Sequence, residues 1–207
     1  DLSAFPDDQD VHFVPMAAAA EDFRGLDISA QRRLIEVRKG YTAFQGGDVL
    51  LAKITPCMEN GKGGLVPVLP MRLAFGSTEF HVLRPTHVIH GQWLSHFLSQ
   101  PAFRRVARQN MTGTAGQLRV PSKWLAEVKI PVAPKNEQER VVAKLDELLS
   151  DLDAGVAELK AAQQKLQRYR QSLLKAAVEG ALTAEWRTKN PPTETGAELL
   201  QRILRER

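Results

Sequence analysis

The sequence predicts an α+β protein: a mixed globular domain followed by a long α-helix built to pair with another helix. Three observations predict it. Short apolar runs punctuated by Gly and Pro read as strands between residues 46 and 85. Two segments after residue 90 carry apolar residues at helical spacing. From Glu137 to about Gly180 there is no proline, and leucine returns at every seventh position.

The elements follow in order. VHFVPM (11–16) reads as a short strand, and ISAQRRLIEVRKG (28–40) as one helical turn followed by a strand. GGDVLLAKI (Gly46–Ile54) is a turn leading into a β-branched and leucine-rich strand; GGLVPVL (63–69) and EFHVLRP (79–85) are further short strands. Trp93, Leu94, Phe97 and Leu98 mark a helix. Pro101 suits the first turn of the next, with Phe103, Val106 and Ala107 apolar and Arg104, Arg105 and Arg108 polar. WLAEVKIPV (124–132) reads as a last strand, closing the domain near residue 136.

At Asn136 the character changes. Asn136 with Glu139 has capping-box spacing, and Pro134 keeps a helix from starting earlier. The proline-free stretch is mainly Ala, Leu, Glu, Lys, Gln and Arg, and at 1.5 Å per residue makes a rod of roughly 66 Å. Leu145, Leu152, Leu159, Leu166 and Leu173 occupy one heptad position without a miss; Val141, Leu148, Gly155, Ala162, Tyr169 and Ala176 occupy the other. Leu149, Val156 and Ala177 widen the seam. Such a stripe is not stable open to water, so it requires a partner helix. Gly155 costs about 1 kcal/mol against Ala in a helix, which makes sense where a neighbouring backbone comes close. After Gly180, ALTAEWRTKNPP breaks the helix; Thr195 and Glu198 form a second capping box, with Leu199, Leu200, Ile203 and Leu204 on one face. The domain reading is therefore 1–136, 137–180 and 181–207.

Composition narrows the function. With 43% hydrophobic and 25% charged residues the chain is of globular make-up. No apolar run approaches the ~18–20 residues of a membrane span. Cys57 is the one cysteine, so no intramolecular disulfide forms, and a reducing cytoplasm is the expected location. The chain begins at Asp1 with no basic-then-apolar leader and stops on a helical pattern, AELLQRILRER; the expectation is a piece of a longer cytoplasmic protein. Charge is segregated: residues 1–27 carry −6, residues 28–136 carry +10, and residues 137–207 are neutral. A block of +10 suits nucleic acid, and equally suits a surface kept soluble by charge.

Catalytic motifs fail one by one. Asn190-Pro191-Pro192-Thr193 resembles the tetrapeptide with which amino-methyltransferases hold a base, but lacks its aromatic residue and any glycine-rich cofactor loop upstream. Pro6-Asp7 and Glu127-Val128-Lys129 superficially match a nuclease pattern, yet lie some 120 residues apart, with the second in an expected core strand. His81, His87 and His90 lack zinc spacing with carboxylates or thiols. ENGKGG (59–64) lacks the spacing of a phosphate-binding loop. The expectation is no catalytic residue and no metal site.

KIPVAPKNEQERVVAKLDELLSDLDAGVAELKAAQQKLQRYRQSLLKAAVEGALTAEWR (129–187) closely resembles the conserved region of type I restriction–modification specificity subunits. GDVLLAKITPCMENGKGGLV (47–66), GSTEF (76–80) and MTGTAGQLRVPSKWL (111–125) resemble that family's target recognition domain. The resemblance covers about residues 45–207. It implies an antiparallel coiled coil between two conserved helices, each following one recognition domain. The tail after the helix looks like the central connector, which implies the first half of such a subunit. Family members neither cut nor methylate. They read double-stranded DNA, one half of a bipartite site per domain, for methyltransferase subunits and a restriction subunit. S-adenosylmethionine, ATP and Mg are then bound by those partners, with no cofactor in this chain. The helix is a ruler for the spacer, and a lone half is expected to self-associate through Val141, Leu145, Leu148, Leu152, Leu159, Ala162, Leu166, Tyr169 and Leu173.

Loop placement and this resemblance together nominate DNA-contacting residues. Lys53, Lys62, Arg104, Arg105, Arg108, Arg119 and Lys123 are candidates for phosphates. Thr55, Asn60, Thr112, Thr114 and Gln117 lie in Gly-interrupted loops, where Gly113 and Gly116 permit close approach to base edges. Thr and Asn in such loops also serve local turn hydrogen bonds. Two other classes stay open: a coiled-coil adaptor whose globular domain grips a protein, and a free-standing methyltransferase, which would have to bind S-adenosylmethionine.

Overall fold

The computed structural model describes residues 5–69, 73–114 and 116–206. Asp1 and Arg207, which bear on the reading of the chain ends, and Ala115 in the 112–119 loop lie outside the described residues. The chain divides into two compact units, Asp1–Asp146 and Glu147–Arg207.

The first unit is built on two sheets. β1 (Asp10–Val14), β2 (Gln31–Arg33), β3 (Thr42–Phe44) and β6 (Ala74–Gly76) make a mixed sheet in the order β2-β1-β6-β3, with β1 and β6 parallel. β4 (Val49–Ala52), β5 (Gly63–Leu65) and β7 (Phe80–Leu83) make an antiparallel sheet, β5-β4-β7. β4 is its centre, and all four residues of Val49–Ala52 are buried. Side chains alternate along a strand. Leu50 and Ala52 accordingly join Val14, Phe44 and Ala74 of the other sheet, while Val49 and Leu51 face Leu94, Leu98 and Phe103. Burying each leucine contributes about 1.5–3 kcal/mol. At the entry to β4 the buried Asp48 carboxylate accepts from the Gln45 backbone N–H (2.8 Å) and from Nε and Nη2 of Arg84 (2.8 Å each), tying the turn to the end of β7.

The segment 28–40 corrects the expected order. The strand comes first, Gln31–Arg33 pairing with β1, and the helical turn α1 (Leu34–Val37) follows. Leu34 and Val37 are three apart and both fully buried, which a helical turn achieves and a strand does not.

Helices cover the second sheet. α2 (Gly91–Ser99) is capped by His90, whose Nδ1 accepts from the Gln92 N–H, and it buries Leu94 and Leu98. α3 (Pro101–Gln109) has Pro101 in its first turn and buries Phe103 and Ala107. Val106 is half exposed, so only part of the expected apolar face is core. The strand expected over 124–132 is absent. Ser122–Glu127 is instead a helix, α4, followed by irregular chain. Trp124, Leu125 and Val128 pack against the α2–α3 cluster, at a spacing that matches one face of a helix.

α5 spans Lys135–Val178. It begins before Asn136, so the capping box expected there is not its start; the Pro134 carbonyl accepts from the Glu137 and Gln138 N–H groups instead (2.9 and 3.0 Å). Gln138 and Val142 are its two buried residues, both within the first unit.

In the second unit the ladder of α5 lies open: Leu152, Leu159 and Leu166 are 61%, 73% and 68% exposed. Gly180 (φ 72°) adopts the left-handed conformation that ends helices. A 3-10 turn (Ala181–Thr183), α6 (Ala184–Lys189), the Asn190-Pro191-Pro192 break and α7 (Gly196–Arg205) follow. α7 has the expected capping box: the Glu198 N–H donates to Thr195 Oγ1 and the Thr195 N–H to Glu198 Oε2 (2.7 Å).

Candidate nucleic-acid interface

Two loops carry most of the nominated residues, and they are laced together. The loop 53–62 follows β4; the loop 112–119 follows α3. Thr112 and Arg119 exchange backbone hydrogen bonds (3.0 and 2.8 Å), closing the second loop into a small hairpin. The Thr55 N–H donates to the Leu118 carbonyl (3.0 Å). Thr55 Oγ1 donates to the Gly116 carbonyl and accepts from the Leu118 N–H, both 3.2 Å. The Val120 N–H donates to the Lys53 carbonyl (2.8 Å). Gly113 (φ 133°) and Gly116 (φ 84°) hold backbone conformations that side chains disfavour, and a Cβ on Gly113 would lie 2.8 Å from the Gln117 carbonyl oxygen. The glycines thus shape the hairpin itself.

Behind it stands Glu79, at the entry to β7. Arg119 Nε and Nη2 donate to its two carboxylate oxygens at 3.0 and 2.9 Å, and Arg119 Nη1 donates to the Gln117 carbonyl (3.2 Å). The Arg119 hydrogen bonds hold the Glu79 carboxyl below its ordinary value, and Glu79 raises the arginine in return. Next along β7, His81 Nε2 donates to the Val120 carbonyl (2.8 Å); burial pushes its imidazole down, so the neutral ring is favoured.

A second group surrounds Glu59. Arg104, Arg105 and Arg108 on α3 line, with Glu59 and Pro101, a cavity of about 270 Å³. Arg108 pairs with Glu59 (2.8 Å). Arg104, only 17% exposed, pairs with Asp22 (2.8 Å). Asn60 Nδ2 donates to Glu21 (2.8 Å), and the Asp22 and Phe23 N–H groups donate to the Asn60 and Gly61 carbonyls (2.9 and 2.8 Å). The acidic first segment therefore reaches into the basic block.

The nominated residues divide accordingly. The hairpin group holds Lys53, Thr55, Thr112, Thr114, Gln117 and Arg119; the Glu59 group holds Asn60, Arg104, Arg105 and Arg108. Lys62 points its ammonium at the Met16 carbonyl (3.5 Å), and Lys123 stands exposed on α4. Among the described residues Lys53, Lys62, Arg105 and Lys123 form no ion pair, whereas Arg104, Arg108 and Arg119 each hold a carboxylate. Thr55 spends its hydroxyl on the hairpin loop, and Asn60 spends its amide nitrogen on Glu21 of the first segment. Sequence reasoning missed Asp22 and the pairings of Glu79 and His81, because their partners lie 39 to 82 residues away. The GSTEF stretch was the one local pointer to Glu79.

Among the described residues no group of three or more His, Cys, Asp or Glu side chains is placed to hold a metal ion. No described helix is long and apolar enough to cross a membrane.

The model of the type I restriction modification DNA specificity domain matches residues 2–162. The chain belongs to that family. Within it, the EcoAI type I restriction enzyme specificity subunit of Escherichia coli is 37% identical over 148 residues, which make up 71% of this chain and 25% of the relative. The EcoEI specificity subunit, also of Escherichia coli, is 38% identical over 144 residues, 69% of this chain and 24% of the relative. The chain thus spans about a quarter of the length of these specificity subunits. Among solved structures, the HsdS subunit from Thermoanaerobacter tengcongensis superposes with a TM-score of 0.63 at 23% identity, over 77% of this chain and 40% of that one. At that identity the likeness concerns the fold, an α+β domain with its long helix.

Proposed function

We propose that this member of the specificity family is a non-catalytic DNA reader: residues 1–136 recognise one half of a bipartite duplex site, the helix over 137–180 is the spacer ruler, and 181–207 is the connector. Family membership over residues 2–162 carries the reading. The +10 charge of residues 28–136 and the open leucine ladder support it. Arg105, Lys53, Lys62 and Lys123 are the phosphate contacts available without breaking an ion pair; Thr114 and Gln117, exposed at the hairpin, are the base readers. The ladder pairs antiparallel with a second conserved helix, or with a second copy when none is supplied. Methyltransferase and restriction subunits dock on the assembled reader and bring S-adenosylmethionine, ATP and Mg, in the cytoplasm.

Mapping methylated adenines in the source genome with and without this gene tests the reading; loss of one bipartite motif is expected, and an unchanged methylation map overturns it. The adaptor reading draws on one observation, the neutralisation of Arg104, Arg108 and Arg119 by carboxylates. Duplex affinity that falls steeply with salt excludes it.

A further inference from the structure

The chain buries one glutamine completely. Gln138, in the first turn of α5, is 0% exposed, and both its amide donors and its amide oxygen are engaged. Its oxygen accepts from the His90 N–H (2.8 Å), and its nitrogen donates to the Val88 carbonyl (2.9 Å) and the Ala133 carbonyl (2.7 Å). Val88–His90 is the chain entering α2, and Ala133 belongs to the chain entering α5. One side chain therefore stitches two helix entries together, and His90, which it holds, is also the cap of α2.

The surroundings reinforce the stitch. Trp93 Nε1 on α2 donates to the Pro131 carbonyl (3.0 Å), Val142 is buried one turn after Gln138, and His96 of α2 meets Asp146 at 3.1 Å. Between Glu147 and Val178 no residue of α5 is buried.

A hydrophobic residue would fill this site and pack the helix root, but would not fix its direction, because apolar contact is non-directional. Three hydrogen bonds from one planar amide do fix it. Glutamate has no amide donors and would bury a charge; asparagine is one methylene too short.

We infer that Gln138 is a positioning residue for site selection: it sets the direction in which α5 leaves the recognition domain, and so how strictly the spacer between half-sites is measured. The inference rests on the two-headed reading above.

The test uses the complete methyltransferase complex carrying the specificity subunit at its natural length. Methylation rates are compared on duplexes whose half-sites are separated by the native spacer or by one base pair more or less. Gln138→Met, similar in length and shape, should cut the preference for the native spacer by about tenfold or more, as small misplacements do elsewhere. Val37→Ala, in the core beside β1, serves as a control that lowers stability without touching the root. Should Gln138→Met fail to fold, Trp93→Phe keeps an aromatic ring but removes the indole donor to Pro131, and is expected to relax the preference in the same direction. A folded Gln138→Met or Trp93→Phe complex with unchanged preference overturns the inference alone. A wild-type complex indifferent to spacer length overturns the two-headed reading and the inference with it.

Discussion

Arg119 and Glu79, forty residues apart, meet through two guanidinium nitrogens and both carboxylate oxygens, fastening the 112–119 hairpin to the start of β7. Both side chains are partly exposed, 43% and 27%, so the pair belongs near the upper end of surface ion pairs. Glu79→Ala should cost about 0.5–1 kcal/mol. A double-mutant cycle with Arg119→Ala in urea reads the coupling; strict additivity would show that the pair contributes nothing.

Acid should weaken the domain in two steps. Burial pushes His81 below its ordinary 6.5, and the Arg119 hydrogen bonds hold Glu79 below its ordinary 4.5. In both cases the unfolded chain takes up a proton before the folded one does, so stability falls as pH drops. The histidine step begins near pH 6.5 and the glutamate step near pH 4.5. Urea midpoints measured from pH 8 to pH 3 should show both, and His81→Gln should remove the first.

Two glycines should respond with opposite signs. Gly113→Ala forces a side chain onto a φ of 133° and against the Gln117 carbonyl, at a cost of about 1–3 kcal/mol. Gly155, inside α5, has nothing within 4 Å of an added Cβ. Gly155→Ala should raise helix stability by about 0.5–1 kcal/mol. Thermal unfolding followed by circular dichroism measures both; a destabilised Gly155→Ala would reveal a neighbouring backbone at that position.

The ladder predicts association. Leu159→Glu should leave the fold of the domain unchanged and weaken self-association of the 207-residue chain, read by light scattering across concentration. A monomer at all concentrations in the parent chain would count against pairing. Inserting four residues at Leu159 in the complete complex should change the spacer of the methylated motif, which sequencing of modified sites detects.

How much of this was legible in the chain follows from the range of the interactions. α5, its end at Gly180 and the Thr195–Glu198 cap are local features, set by leucine period, glycine and short-range hydrogen bonds. β4 and α2 were legible for the same reason. The 124–132 segment was not, because a nine-residue apolar stretch suits either state until its neighbours choose. The site was legible as loops and as charge, and illegible as pairs. Nothing near Arg104 in sequence points to Asp22, and nothing in NEQER distinguishes Gln138, held at three points, from the exposed polar residues beside it.

An open row of leucines also bears on how much of this protein a cell can keep. Unescorted copies present a greasy edge that invites clumping and proteolytic clearance. On the pairing proposed above, supply of the chain has to track supply of the helix along that edge, so that abundance is set by the scarcer of the two.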